Sequence, residues 1–278
     1  MLSYRHAFHA GNFADVLKHF VLFQLLQYLN QKDKPYWVID THAGAGLYAL
    51  HEGFAAKNAE YRDGIGRLWQ PPDLPAPLAE FVALLQALNP DNNLRFYPGS
   101  PWIASRLLRT EDRLRLFEMH PTDFDILQET FAKEKQVKVE KSDGFAGLKA
   151  LLPPPPRRGL VLIDPPYEEK QDYQRVPAAL REALKRFETG TYAVWYPLLP
   201  RPEPEKMVEK MKHLPVKSWL NVSQSISAPR ADGFGMFGAG MFVLNPPWTL
   251  HATLQSVMPW LNETLAQDAT ASFVLEAS

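Results

Sequence analysis

The sequence predicts an α/β fold: a mostly parallel sheet with helical crossovers, interrupted once by a helical insertion. Three observations lead there. From residue 35 onward, short apolar runs alternate with stretches of helical periodicity, the pattern of parallel strands joined by right-handed crossovers. The residues that follow those runs are acids or glycines, at the strand ends where ligands collect in such sheets. Between residues 48 and 93 the alternation gives way to proline-broken helical sequence, typified by YRDGIGRLWQPPDLPAPLAEFVALLQALN, without a convincing strand. With 278 residues, 46% of them hydrophobic, the chain can bury a sizeable core. Residues 1–47 and 94–278 are expected to form the main domain and 48–93 an inserted helical subdomain.

The elements follow in order. Asn12 can cap a helix from Phe13, with Asp15 in the first turn where the dipole favours an anion. Val16, Leu17, Phe20, Val21, Leu25 and Leu29 give that helix a broad apolar face. PYWVID, 35–40, reads as a short buried strand, and the glycine loop THAGAG overlaps its end. After the insertion, strands are expected at 113–118, 137–140, 160–164 and 191–198, with helices at 122–134, 145–152 and 173–187 between them. Two further strand-like runs, 216–223 and 241–245, flank the glycine-rich RADGFGMFGAG. A helix over 250–266 and a strand over 272–277 finish the pattern. The prolines at 153–156 form a stiff connector. Asn245-Pro246-Pro247-Trp248 reads as a helix start.

Composition excludes several chemistries. The chain has no cysteine, which removes disulfides, thiolate metal sites and cysteine nucleophiles. A net charge of −1 gives no global basic field for nucleic acid, although a local patch remains compatible with it. The first residues carry histidines and an aspartate where a signal peptide would have an unbroken apolar core. The most apolar window, VLKHFVLFQLLQYL, is too short to span a bilayer. A monomeric cytoplasmic protein is expected.

The chemistry concentrates at the strand ends. Asp40 opens the THAGAG loop, Glu118 ends the second strand, Asp143-Gly144 lies beyond the third, and Asp164-Pro165-Pro166-Tyr167 ends the fourth. Taken singly, each acid also reads as a helix cap or a solvated turn; their recurrence at successive strand ends favours a ligand site. The glycines let the backbone approach a ligand closely, and a carboxylate after the second strand suits ribose hydroxyls. G-x-G-x-x-G spacing is absent, which argues against hydride transfer, and no G-K-[ST] is present to cradle phosphates. His6 and His9 lack the further ligands a metal would need. The N-terminal group of Tyr4, Arg5, His6, His9, Lys18 and His19 reads either as a solvated arm or as a lid contacting a nucleotide. The glycine-rich 230–240 segment reads either as a plain turn or as a flap.

D-x-x-A-G-x-G followed by D-P-P-Y resembles the S-adenosylmethionine-dependent amino-methyltransferases of the seven-stranded Rossmann-like class. MLSYRHAFHAGNFADVLKH, DTHAGAG, YPGSP, the DPPYE segment and GMFVLNPPW together resemble the RlmJ-type family of bacterial 23S ribosomal RNA adenine-N6 methyltransferases. The similarity runs nearly end to end, with His42 standing where other methyltransferase loops have a glycine. It implies S-adenosyl-L-methionine as cofactor, held by His19, His42, Ser100, Glu118, Asp143, Gly144 and Asp164. It also implies that Tyr4, His6 and Lys18 lie by the substrate, 23S ribosomal RNA before assembly is complete. The residues support a matching mechanism. Asp164 and a backbone carbonyl beside the prolines would accept the two N–H groups of an adenine amine, and Tyr167 would stack on the extruded base. Asp164 is the expected catalytic residue, and no metal is required. A DNA adenine-N6 methyltransferase and a non-catalytic RNA-binding protein of the same fold are the alternatives.

Overall fold

The computed structural model describes residues 6–278. The first long element, α1 (Phe13–Asn30), begins where the Asn12 side chain accepts the N–H groups of Ala14 and Asp15, each at 3.0 Å. Its apolar residues are not confined to one face. Phe13 to Phe23 is buried without a break, so α1 is a central helix, enclosed by the sheet on one side and by helices on others. A helix hydrophobic all round is stable only in such a place.

The chain then forms β1 (Trp37–Asp40) and leaves the main sheet through β2 (Leu47–Ala49), α2 (Gly53–Asn58), two 3₁₀ turns and α3 (Ala76–Gln86), returning at β3 (Phe96–Pro98). β2 and β3 pair antiparallel and close the base of this excursion. A strand therefore straddles the start of the segment expected to be helical throughout; its three residues are too few to show a period of two. The excursion shares the main core, with Phe81 of α3 packing its ring 6.0 Å from Phe20 and 5.8 Å from Phe23.

Alternation resumes with α4 (Ser100–Leu107), β4 (Arg113–Phe117), α5 (Pro121–Phe131), β5 (Val137–Glu140), α6 (Gly144–Leu151), β6 (Gly159–Ile163), α7 (Asp172–Arg186) and β7 (Thr191–Leu198). The C-terminal part adds α8 (Glu203–Lys212), β8 (Trp219–Ser225), β9 (Gly238–Leu244), α9 (Trp248–Leu265) and β10 (Ser272–Ala277). The sequence reading omits α4 and α8. One is short with a proline in its first turn, and the other buries only a narrow stripe including Met207, Val208 and Met211.

The main sheet has the order β10-β8-β9-β7-β6-β1-β4-β5. Pairings among β5, β4, β1, β6 and β7 are parallel, whereas β9 runs antiparallel to both β7 and β8. Seven strands were expected and eight are present. The extra one, β10, pairs antiparallel with β8 and covers a ladder edge that would otherwise lie open. Strand order reverses around β1, which opens a crevice at the carboxyl ends of β1, β4 and β6. The proline pair before Trp248 does start α9. Asn245, at a φ of 51°, donates from its side chain to Glu188 and Gly190 at the opposite end of the sheet from the crevice.

Candidate active site

A cavity of about 350 Å³ fills the crevice, within the usual size of a small-molecule site. Its floor is the loop after β1. Gly44, at a φ of 61°, donates its N–H to Glu118 Oε2 at 2.7 Å, and His120 N–H donates to the other carboxylate oxygen at 2.6 Å. Glu118 is thereby fixed with lone pairs to spare for hydroxyl groups, while burial raises its pKa. Asp40 is buried behind the loop and accepts from Ser100 Oγ at 2.6 Å and His42 N–H at 3.2 Å. Burial pushes its pKa up to about 6 despite those bonds. It bolts the start of α4 to the end of β1.

The opposite wall is the start of α6. Asp143 caps this helix by accepting from Phe145 N–H at 2.9 Å, and it also accepts from the Arg175 guanidinium at 3.0 Å. A Cβ on Gly144 would stand 2.1 Å from the Thr41 carbonyl oxygen, so only glycine lets α6 meet the β1 loop. His42 packs edge-on against Phe145, and burial lowers its pKa to about 4. His19 is enclosed more fully; burial outweighs the neighbouring Asp15 and lowers its pKa to about 3, leaving a neutral ring. Its Nδ1 lies 2.9 Å from the Tyr97 hydroxyl. With that hydroxyl donating, the ring proton sits on Nε2.

A chain of charges enters from α1. Lys18 Nζ lies 2.6 Å from Asp164 Oδ2 and 2.9 Å from Asp15 Oδ1, with its side chain 5% exposed. Asp15 Oδ2 also accepts from Gly11 N–H and meets His6 Nε2, both at 2.9 Å. Burial opposes each charge, yet the fields of His6 and Lys18 hold Asp15 well below the usual carboxylate range. Burial likewise works against the Lys18 ammonium, and Asp15 with Asp164 more than reverses it, so its pKa lies above that of an ordinary lysine. Such a network is costly to break, because removing one partner strands a buried charge. Asp164 Oδ1 has no hydrogen-bond partner among the described residues.

The cavity is lined by every residue expected to hold the cofactor: His19, His42, Ser100 and Glu118 together with Asp143, Gly144 and Asp164. His6 and Lys18 line it as well. Tyr4 lies outside the described residues. Tyr167 departs from expectation. Its backbone takes a φ of 53°, its hydroxyl donates to the Trp195 carbonyl at 2.7 Å, and its ring packs 4.7 Å from Tyr173. At 3% exposure it offers no free face for stacking; it belongs to the core beneath α7. Sequence reasoning overlooked Asp15 as a site residue, having assigned it to the helix dipole. Its spacing of three from Lys18 was the available signal. Tyr48, which lines the cavity beside His6, carried none.

The family model described as "Ribosomal RNA large subunit methyltransferase D, RlmJ" matches residues 33–276. A curated Escherichia coli K12 protein named ribosomal RNA large subunit methyltransferase J is 47% identical over 270 residues, covering 97% of this chain and 96% of that protein. One of the same name from Haemophilus influenzae is 46% identical over 277 residues, covering 99% and 98%. A crystal structure of a Legionella pneumophila protein superposes with a TM-score of 0.90 at 38% identity, covering 97% of this chain and 98% of that one.

Proposed function

This chain belongs to the RlmJ family of ribosomal RNA large subunit methyltransferases, and we propose that it methylates N6 of an adenine in 23S ribosomal RNA, with Asp164 as its catalytic residue. It is a methyltransferase that uses S-adenosyl-L-methionine. The residues present suit that cofactor. Glu118 has free lone pairs for ribose hydroxyls, His19 has a donor at Nε2, and Asp143 with Gly144 frames a polar helix start.

When bound, the cofactor supplies an electrophilic methyl group on a sulfonium. The chain's own residues prepare the nucleophile. An adenine amine is a poor one, because its lone pair is delocalised into the ring. Asp164 Oδ1 accepts one amine N–H, and a backbone carbonyl of the proline segment accepts the other, which turns the lone pair toward the methyl group. Prolines suit this role because they fix the backbone and donate nothing in competition. Lys18 holds Asp164 Oδ2, so the acid is oriented by a bond it does not share with the substrate. The pair presents an acceptor to the incoming base without a net negative charge. Alignment and fixed electrostatics then carry most of the rate enhancement. Base extrusion is cheapest in unpaired RNA, which favours 23S RNA not yet buried in an assembled subunit. In this reading the protein works as a cytoplasmic monomer.

The observation that carries the reading is Asp164 on the cavity wall with one oxygen held by Lys18 and the other unbonded. The test is labelled cofactor with protein-free 23S RNA, assembled subunits or duplex DNA, followed by nucleoside analysis. Labelling of N6-methyladenine in free RNA is expected, and preferential labelling of DNA would defeat the substrate assignment. Asp164→Ala should bind cofactor yet lose activity by roughly 10²–10⁴-fold; a rate near that of the unaltered protein would move the role elsewhere.

A further inference from the structure

With Tyr167 packed into the core, the substrate side of the cavity lacks the aromatic face that an extruded base requires. Tyr48 and Phe117 line the cavity but are 6% and 2% exposed. The Tyr48 hydroxyl already accepts the Ala45 N–H, and Phe117 fills the space beside Gly147. β7 supplies a better candidate. Ile163 pairs with Val194, so the next residues, Asp164 and Trp195, stand level on neighbouring strands. Leu162 and Ala193, one step back from that pair, both face the core layer that contains α1. Alternation therefore puts Asp164 and Trp195 on that same face.

Lys18 joins the two. Its Nζ lies 2.6 Å from Asp164 and 5.9 Å from the centre of the Trp195 ring. Trp195 is partly exposed, unlike Ala193 and Val194 before it. Its main chain is held by the Tyr167 hydroxyl at 2.7 Å. The indole Nε1 has no hydrogen-bond partner among the described residues, so packing alone sets the tilt of the ring and leaves it free to adjust to a flat ligand. Resting on the reading that the substrate is an adenine in RNA, we propose that Trp195 is the platform on which the target base stacks while its amino group meets Asp164. Stacking is tolerant of base identity; Asp164 and the proline segment then supply the selection for an amine.

The experiment measures initial rates against 23S RNA concentration, with cofactor affinity by calorimetry, for the unaltered protein, Trp195→Ala and Trp195→Phe. Trp195→Ala should lower kcat/KM for RNA by roughly 10- to 100-fold with cofactor Kd within about twofold, and Trp195→Phe, which keeps a ring and drops the N–H, should recover most of that loss. Equal kcat/KM for Trp195→Ala and the unaltered protein would overturn the platform alone. So would equal damage by both variants together with lost cofactor binding, which marks a purely structural residue. Failure of the unaltered protein to label RNA would overturn the underlying substrate reading and this inference with it.

Discussion

Asp15 holds the N-terminal part of the site together. It touches Gly11, His6 and Lys18, and through Lys18 it reaches Asp164. Asp15→Asn preserves shape and removes the charge that favours protonated Lys18. Stability should fall by about 3–5 kcal/mol, the usual cost of breaking a buried pair, read as a lower denaturant midpoint. kcat should fall at least tenfold with cofactor affinity little changed. A variant as active and as stable as the parent would show that Lys18 needs only Asp164. His19 makes a second test at this scale. Its pKa of about 3 in the folded chain lies below the ordinary value of 6.5, so the unfolded chain binds more protons between those limits. Stability should therefore drop as pH falls from about 6.5 toward 3, by roughly 3–5 kcal/mol in all for this residue. Asp40, raised to about 6, has the opposite sign between pH 4 and 6 and offsets part of it. Urea unfolding at several pH values should show the acid-side loss in the parent and a shallower one in His19→Gln.

The helices and loops that frame the cavity depend on a few close approaches. Gly144 is the tightest, and Gly144→Ala would drive a methyl group into the Thr41 carbonyl. The start of α6 must then move away from the β1 loop. Overpacking of this kind costs about 1–3 kcal/mol, and cofactor affinity should weaken at least tenfold by calorimetry. A change of less than twofold would mean that α6 is not a wall of the binding site. Elements with strong local signals were legible in the sequence. Asn12 marked the start of α1, and the apolar runs ending at Asp40, Glu118 and Asp164 marked the strands whose ends carry the site. Less legible were elements whose pattern is short or set by tertiary context. β2 spans three residues, and α8 shows mostly charge because the face it buries is narrow.

Across the whole molecule, the cavity-lining residues were legible because each sits at the end of an element with a readable pattern. Side-chain direction was not. Nothing in D-P-P-Y indicates that the tyrosine turns inward at a positive φ while Trp195, on another strand, stands level with the aspartate. That outcome depends on strand register, which the pairing of β6 with β7 settles and local sequence does not. The same holds for Lys18, whose contact with Asp164 spans a sequence separation of 146. One partner rides on a helix threaded through the centre of the fold and the other on a strand made far later in the chain. Neither can reach the other until the helix has docked and the sheet has closed over it. Activity is therefore an all-or-nothing report of complete folding: a half-formed intermediate has no slow version of this chemistry, and surplus copies trapped partway are inert toward RNA.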